Sequence, residues 1–128
     1  MGYQTEMFKK IAFIHYPTMD LDRALKFYRD VLGLKLRVQN EEWVEFAVGE
    51  QRLALRKVHA LPQRSDTAQP AGAMVWLEAR PIEETIARLK AENVIITNDL
   101  EVFYYGKTSS FLDPDRNVLG LYEPPPEK

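Results

Sequence analysis

The chain has 128 residues, of which 45% are hydrophobic and 28% are charged, and its formal net charge is −2. This length and composition fit one compact globular domain, or two small units that share a core, and exclude a disordered chain. The absence of cysteine excludes disulfides, thiolate metal ligands and cysteine nucleophiles.

Charge and hydropathy also limit the partners and the location. Acidic and basic residues are interspersed, so there is no basic stripe to neutralise a phosphate backbone, and we expect no nucleic-acid partner. The apolar runs are far shorter than the roughly 20 residues of a membrane span, so we expect no membrane partner. The N-terminus lacks the long apolar segment of a secretory signal. We therefore expect a cytoplasmic protein.

The first sixty residues predict the order β-α-β-β-β. Residues 11–16 form a β-rich run that Pro17 ends, and Asp20 offers an N-cap to a helix that Gly33 stops. Apolar residues at helical spacing form the buried stripe of this helix: Leu21, Ala24, Leu25, Tyr28 and Leu32. The segments LKLRV, EWVEFAV and RLALRKV then predict three short strands.

The same order returns about sixty residues later. Residues 61–72, rich in Pro, Ser, Ala and Gln, predict a connecting loop. A strand over residues 74–78 precedes a helix that has Pro81 at its first position and ends at Asn93. The segments VIIT, EVFYY, TSSFL and NVLGLY follow as β segments, with turns at residues 106–107 and 113–117. We predict two copies of one unit, residues 8–60 and 73–123, followed by a tail at 124–128.

Two motifs resemble a known family. The first runs from Asp20-Leu21 through Phe27-Tyr28 to Val31-Leu32-Gly33-Leu34, and the second is Phe111-x-Asp113-Pro114-Asp115-x-Asn117. Together they resemble the vicinal oxygen chelate superfamily, which includes glyoxalase I, extradiol dioxygenases, and fosfomycin and bleomycin resistance proteins. The resemblance implies an α+β fold in which two tandem βαβββ modules form a curved, cup-shaped mixed sheet with helices on its outer face. It also implies a homodimer.

Family enzymes hold a divalent metal in the cup with His, Glu or Gln ligands on four strands. Carried over residue by residue, those four positions fall on Phe13, Ala54, Ala73 and Gly120. None of these side chains can donate a lone pair, whereas zinc, iron or manganese needs at least three such ligands. We therefore predict no metal and no other cofactor.

Strand alternation then predicts which side chains line the cup. If Phe13 points into the cup, His15 does too, and in the next strands Trp43, Glu45 and Arg56 share that face. In the second module Val75 and Tyr122 are expected there, with Tyr104, Tyr105 and Lys107 closing the cavity. Trp76 is expected to pack under the second helix. The predicted ligand-binding residues are Phe13, His15, Trp43, Glu45, Arg56, Tyr105, Lys107 and Tyr122.

Several of these residues also have a plain structural interpretation. His15 can form a hydrogen bond within the cup without function, Trp43 can belong to the core, and Glu45 and Arg56 can form an ion pair between neighbouring strands. A displaced metal site would combine His15 and Glu45 with Glu123 or Glu78. The alternation of side chains along the strands argues against this displaced site, because Glu123 and Glu78 are expected to lie off the cup face.

The sequence therefore favours a glyoxalase- or bleomycin-resistance-like protein that binds and sequesters a small aromatic or amphipathic molecule without metal. In this hypothesis Trp43 and Tyr122 stack on the ligand, Arg56 or Lys107 meets an anionic group, and His15 forms a hydrogen bond. One alternative is a metal-dependent lyase, isomerase or dioxygenase with a displaced ligand set. Others are an enzyme with His15 as general base and an interaction module with a filled cup.

Overall fold

The computed structural model describes residues 7–61 and 72–126. Its elements, in chain order, are β1 (Ile14–Thr18), α1 (Leu21–Lys26), β2 (Lys35–Gln39), β3 (Trp43–Val48), β4 (Gln51–Lys57), β5 (Val75–Glu78), α2 (Ile82–Ala91), β6 (Ile96–Phe103), β7 (Gly106–Leu112) and β8 (Val118–Glu123). They confirm the α+β class and the tandem βαβββ order. Most of the predicted connecting loop, residues 62–71, lies outside the described residues, as do the last two residues of the predicted tail.

The strands form two four-stranded mixed sheets. The first has the order β1-β4-β3-β2 and the second the order β5-β8-β7-β6. In each sheet the first strand runs parallel to the last strand of its module, and the remaining pairs are antiparallel. Among the described residues no helix is long and apolar enough to cross a membrane.

The first helix begins and ends where the sequence predicts. The carboxylate of Asp20 accepts a hydrogen bond from the backbone N–H of Arg23 at 3.1 Å, which satisfies one of the free amides of the first turn. After α1 the helix widens into a π-helical turn, Phe27–Val31, and the Leu32 amide bonds to the Phe27 carbonyl. Gly33 then ends it at φ +74°, a conformation that glycine adopts at no steric cost.

The second module differs from prediction in three places. Pro81 is the N-cap of α2 instead of its first helical residue, and the free amide of Ile82 bonds to the Glu123 carboxylate at 2.8 Å. The end of VIIT and the start of EVFYY, with the residues between them, form one long strand, β6, instead of two segments. The β6–β7 turn lies at residues 104–105, so Gly106 and Lys107 already belong to β7.

Both modules contribute to one hydrophobic core. The helices and the helix-facing sides of the two sheets bury their apolar side chains together, and Tyr28 of the π-helical turn stacks on Phe46 with ring centroids 5.9 Å apart. Phe27 of the same turn also approaches Phe111 of the second module, with ring centroids 6.4 Å apart. The two modules are therefore halves of one packed unit, and the sheet sides opposite the helices remain open.

The turn between β7 and β8 joins the modules through a buried polar cluster. Asp113 accepts hydrogen bonds from the Tyr28 hydroxyl at 2.7 Å and from the Asn117 side chain at 2.9 Å. Its other oxygen accepts from the amides of Asp115 and Asn117. Burial raises the pKa of the Asp113 carboxyl, although its hydrogen bonds act in the opposite direction. Asp115 reaches the first module through Arg23, at 2.8 Å.

Candidate functional site

The side of each sheet opposite the helices is called its cup face. On the first sheet, strand alternation places residues of β1, β3 and β4 on this face. They are Phe13 just before β1, and His15, Trp43, Glu45, Arg52, Ala54 and Arg56. His15, Ala54 and Glu45 form one row across the three strands, because Ala54 pairs with both of the others.

Trp43 covers the centre of the first cup face. Its indole starts on β3 yet contacts Phe13 and His15 beyond β4, with ring centroids 5.3 and 5.8 Å apart. It must therefore pass over β4, whose nearby cup-face residues are Arg56, opposite Trp43, and Ala54, opposite His15. Ala54 is 0% exposed. The small side chain of Ala54 leaves room for the indole to cross this strand.

Glu45 is held by two neighbours on this face. The Trp43 indole N–H donates to it at 3.4 Å, and the Arg52 guanidinium lies 3.6 Å away. The ion pair of Glu45 is therefore with Arg52 and not with Arg56, the alternative considered from the sequence, since Arg56 lies opposite Trp43 in the register. Sequence reasoning missed Arg52, although the alternation that gave Ala54 and Arg56 also includes it.

On the second sheet Trp76 covers the last strand, from a position on β5 that is equivalent to that of His15 on β1. It pairs with Gly120 of β8, and a Cβ added to Gly120 would overlap the indole ring. The prediction that Val75 lines the cup and Trp76 packs under α2 is wrong. Val75 packs against the core and Trp76 is 51% exposed. The same alternation brings Glu78 onto the cup face, contrary to expectation, opposite Tyr122.

Aromatic side chains of the β6–β7 hairpin extend the second cup face. Phe103 and Tyr105 stack with centroids 4.9 Å apart and planes 3° from parallel, and the Tyr122 hydroxyl donates to the Tyr105 carbonyl at 2.7 Å. With Trp76 they border a depression of about 460 Å³. Tyr104, at the tip of the hairpin, is 94% exposed.

Lys107 does not reach either cup face. It pairs with Glu123 in the register and alternates with Thr108, which faces the cup. Its ammonium group bonds to Glu83 of α2 at 2.6 Å, and this hydrogen bond raises the Lys107 pKa. Glu123 lies on the helix side as predicted, since it caps α2.

The structure brings the other predicted residues together in two clusters. Phe13, His15, Trp43 and Glu45 form a contact network on the first sheet. Trp43 and Arg56 also line a groove of about 540 Å³ at its edge. Tyr105 and Tyr122 lie together on the second sheet. A cleft of about 420 Å³, to which both Phe13 and Trp76 contribute, separates the sheets near β1 and β5.

The family's metal does not fit these side chains. Of its four ligand positions, Gly120 lies under the Trp76 indole, which leaves no room for a side chain, and Ala54 is fully buried on the strand that the Trp43 indole crosses. Phe13 has its ring against Trp43, and Ala73, two residues before the core-facing Val75, has only a methyl group and no donor atom. Within residues 7–61 and 72–126 no three His, Asp or Glu side chains are grouped as a metal site would require.

These features define a class of tandem βαβββ proteins with an open cup face on each sheet. The sequence profile of the Glyoxalase/Bleomycin resistance protein/Dioxygenase superfamily matches residues 10–121. The chain belongs to this superfamily, and its fold is that of the vicinal oxygen chelate proteins.

Individual relatives have different activities. Metallothiol transferase FosB from Staphylococcus saprophyticus is 26% identical over 120 residues, which cover 91% of this chain and 78% of that protein. The fosfomycin resistance protein FosX from Listeria monocytogenes, solved with Mn(II) and sulfate, is 16% identical, covers 93% of each chain and has a TM-score of 0.74. TnmS3, an antibiotic-binding protein from Streptomyces sp. CB03234, is 23% identical, covers 94% of this chain and 100% of its own, and has a TM-score of 0.73.

Proposed function

We propose that this chain is a metal-free member of the superfamily that binds and sequesters a small aromatic or amphipathic molecule on its cup faces. The observation that carries the proposal is the pair of indoles on the cup faces, Trp43 against Phe13 and His15 and Trp76 over Gly120. Where a metal enzyme of this fold needs donor side chains, this chain has aromatic surface. Aromatic walls with a few polar groups are the usual lining of a small-molecule site.

The residues of the first cup face have distinct roles in this proposal. Trp43 supplies the stacking surface, since its ring is already fixed against Phe13 and His15. Arg56 meets an anionic group of the ligand, because it borders the same groove as Trp43 and Arg52 is engaged by Glu45. His15 supplies a hydrogen bond. Tyr122 stacks from the second sheet.

We also propose that the protein is a cytoplasmic homodimer. Aromatic side chains of both cup faces are partly exposed in the single chain, among them Phe13, Trp76 and Tyr105. A second copy placed over these faces would cover them and enclose the ligand, because exposed apolar patches commonly mark association surfaces. Light scattering at micromolar concentration tests this, and a purely monomeric protein would contradict it.

The metal question is tested first, on protein purified without chelator. We expect elemental analysis to find no stoichiometric Zn, Mn, Ni or Fe, and added metal to leave the melting temperature unchanged. A tightly bound metal would instead raise it by several degrees, on the order of the linkage effect of a ligand far above its Kd. One equivalent of metal per chain would overturn the metal-free proposal and support a superfamily enzyme with a displaced ligand set.

Binding is tested next with 8-anilinonaphthalene-1-sulfonate, an aromatic anion whose fluorescence rises in apolar sites. We expect saturable binding that the Trp43→Leu variant weakens about tenfold, as loss of an aromatic stacking partner commonly does. The matched control is Trp76→Leu, which changes the same residue type on the other sheet and is expected to matter less for this anion. Absence of saturable binding by this probe and by neutral and cationic aromatic probes would contradict the proposal.

A further inference from the structure

The depression on the second cup face, called the aromatic pocket, has a chemistry of its own. Four of its lining side chains are aromatic: Trp76, Phe103, Tyr105 and Tyr122. The polar lining consists of Glu101, Asn98 and Thr108. Its volume of about 460 Å³ exceeds that of a small organic ligand and falls in the range of small-molecule sites.

The walls of the aromatic pocket are fixed by packing. Trp76 rests on the backbone of Gly120, and Tyr105 is held between the Phe103 ring and the Tyr122 hydroxyl. Gly106 contributes by its lack of a side chain, because a Cβ there would lie 2.7 Å from a ring carbon of Tyr122. The pocket is thus largely formed before any ligand arrives, which lowers the entropy cost of binding.

The charge lining the aromatic pocket is negative. Glu101 is its charged lining residue, and no Lys, Arg or His among the described residues lines it. The nearby Lys107 faces α2 and is bonded to Glu83. Aromatic ring faces attract cations through their quadrupole, and trimethylammonium groups are bound in this way by aromatic cages. An anion would meet a carboxylate and four electron-rich rings.

We infer that the aromatic pocket binds an organic ammonium group, either a small quaternary amine or the cationic end of a larger ligand. The inference rests on the proposed function and adds to it the charge of the ligand at the second sheet. The inference assigns opposite ligand charges to the two cup faces, since the cationic residues Arg52 and Arg56 lie on the first. A ligand that spans both would carry its cationic end toward Trp76 and its anionic end toward Arg56.

Choline and its neutral isostere 3,3-dimethylbutan-1-ol test the inference, because the two differ in charge and share their shape. Titration of the purified protein is followed by ligand-detected NMR and by the indole N–H signals. We expect choline to bind about tenfold more tightly than the isostere and to shift the Trp76 signal more than the Trp43 signal. Equal affinity, or preference for the isostere, would overturn the inference.

Two variants with matched controls locate the site. Trp76→Leu is expected to abolish the choline preference, and its control is Trp43→Leu on the first sheet. Glu101→Gln keeps the shape of the pocket and is expected to weaken choline about threefold at low salt while leaving the isostere unchanged. Its control, Glu84→Gln, removes the same charge from α2. An unchanged choline preference in Glu101→Gln and Trp76→Leu would place binding elsewhere and overturn the inference.

Failure of this inference is distinguishable from failure of the proposed function. If choline does not bind and 8-anilinonaphthalene-1-sulfonate still binds at Trp43, the cation pocket is wrong and small-molecule binding stands. If neither those ligands nor neutral aromatic probes bind, both are wrong.

Discussion

The two βαβββ modules are built alike and differ most at two equivalent places. At the centre of the cup face the first module has Ala54, whose Cβ is accommodated opposite His15, whereas the second has Gly120, where Trp76 leaves no room for one. At the turn before the last strand the first module has a short exposed bend at residues 49–50, whereas the second has the buried cluster around Asp113. The two modules share their order of strands and helix, and the neighbours of each module determine which side chains fit at these positions.

The largest expected effect on stability comes from a substitution in the turn before the last strand of the second module. Asp113→Ala leaves buried donors unpaired, including the Tyr28 hydroxyl and the Asn117 side chain, so we expect a loss of about 3–5 kcal/mol in the free energy of unfolding. The matched change in the first module, Glu50→Ala, is expected to fall within about 0.5 kcal/mol. Urea unfolding measures both. Equal effects would show that the two turns are equivalent after all.

The hydrogen bond between Tyr28 and Asp113, which joins the modules, also predicts that the stability of the fold depends on pH in the alkaline range. Burial, and then the charge of Asp113, raises the pKa of Tyr28 well above its usual value. Above pH ~10 the unfolded tyrosine loses a proton that the folded one keeps, so stability falls as pH rises. Tyr28→Phe is expected to flatten this fall, and Tyr104→Phe to leave it unchanged. A steep fall that persists in Tyr28→Phe would contradict the assignment.

A smaller effect is expected at the centre of the cup faces. Gly120→Ala should cost about 1–3 kcal/mol, the usual range for an added methylene in a packed site. In a Trp76→Ala background the same change should cost little, because the overlapping ring is gone. A double-mutant cycle by urea unfolding gives the coupling. Additive costs would mean that backbone entropy, and not the indole, governs this position.

The smallest effect is expected at Lys107. It faces α2, so Lys107→Ala should leave the binding of an aromatic anion and the melting temperature unchanged, since an exposed ion pair contributes little. Arg56→Ala, which removes a cation from the first cup face, should weaken that binding several-fold. Fluorescence titration of the two variants compares them directly. Weaker binding by the Lys107→Ala variant would show that Lys107 contributes to the binding site and would contradict this prediction.

Sequence reasoning succeeded where a local rule decides the geometry. Gly33 and Asn93 end helices at positive φ because few residues accept that conformation, and Asp20 caps α1 as its side-chain chemistry requires. On the first sheet the alternation of apolar and polar residues along β3 and β4 identified the cup face, apart from the omission of Arg52.

Sequence reasoning failed where a contact distant in sequence determines which face of a strand is buried. The four residues of β5 include Val75, Trp76 and Leu77 in succession, so alternation alone cannot tell which face is buried, and the space left by Gly120 some forty positions later settles it. The assignment of Lys107 to the cup depended on the hairpin turn. The turn lies two residues earlier than predicted, and Lys107 belongs to the helix side of β7.

The indole over Gly120 also constrains how this chain can change over evolutionary time. A single substitution that placed a His or Glu at Gly120 would collide with Trp76 before it could offer a donor. Trp76 must shrink first, and that step removes the aromatic surface with no metal site to replace it. A donor at position 120 therefore takes two changes in a fixed order with a poorer intermediate between them, and a metal site would need donors at further positions as well.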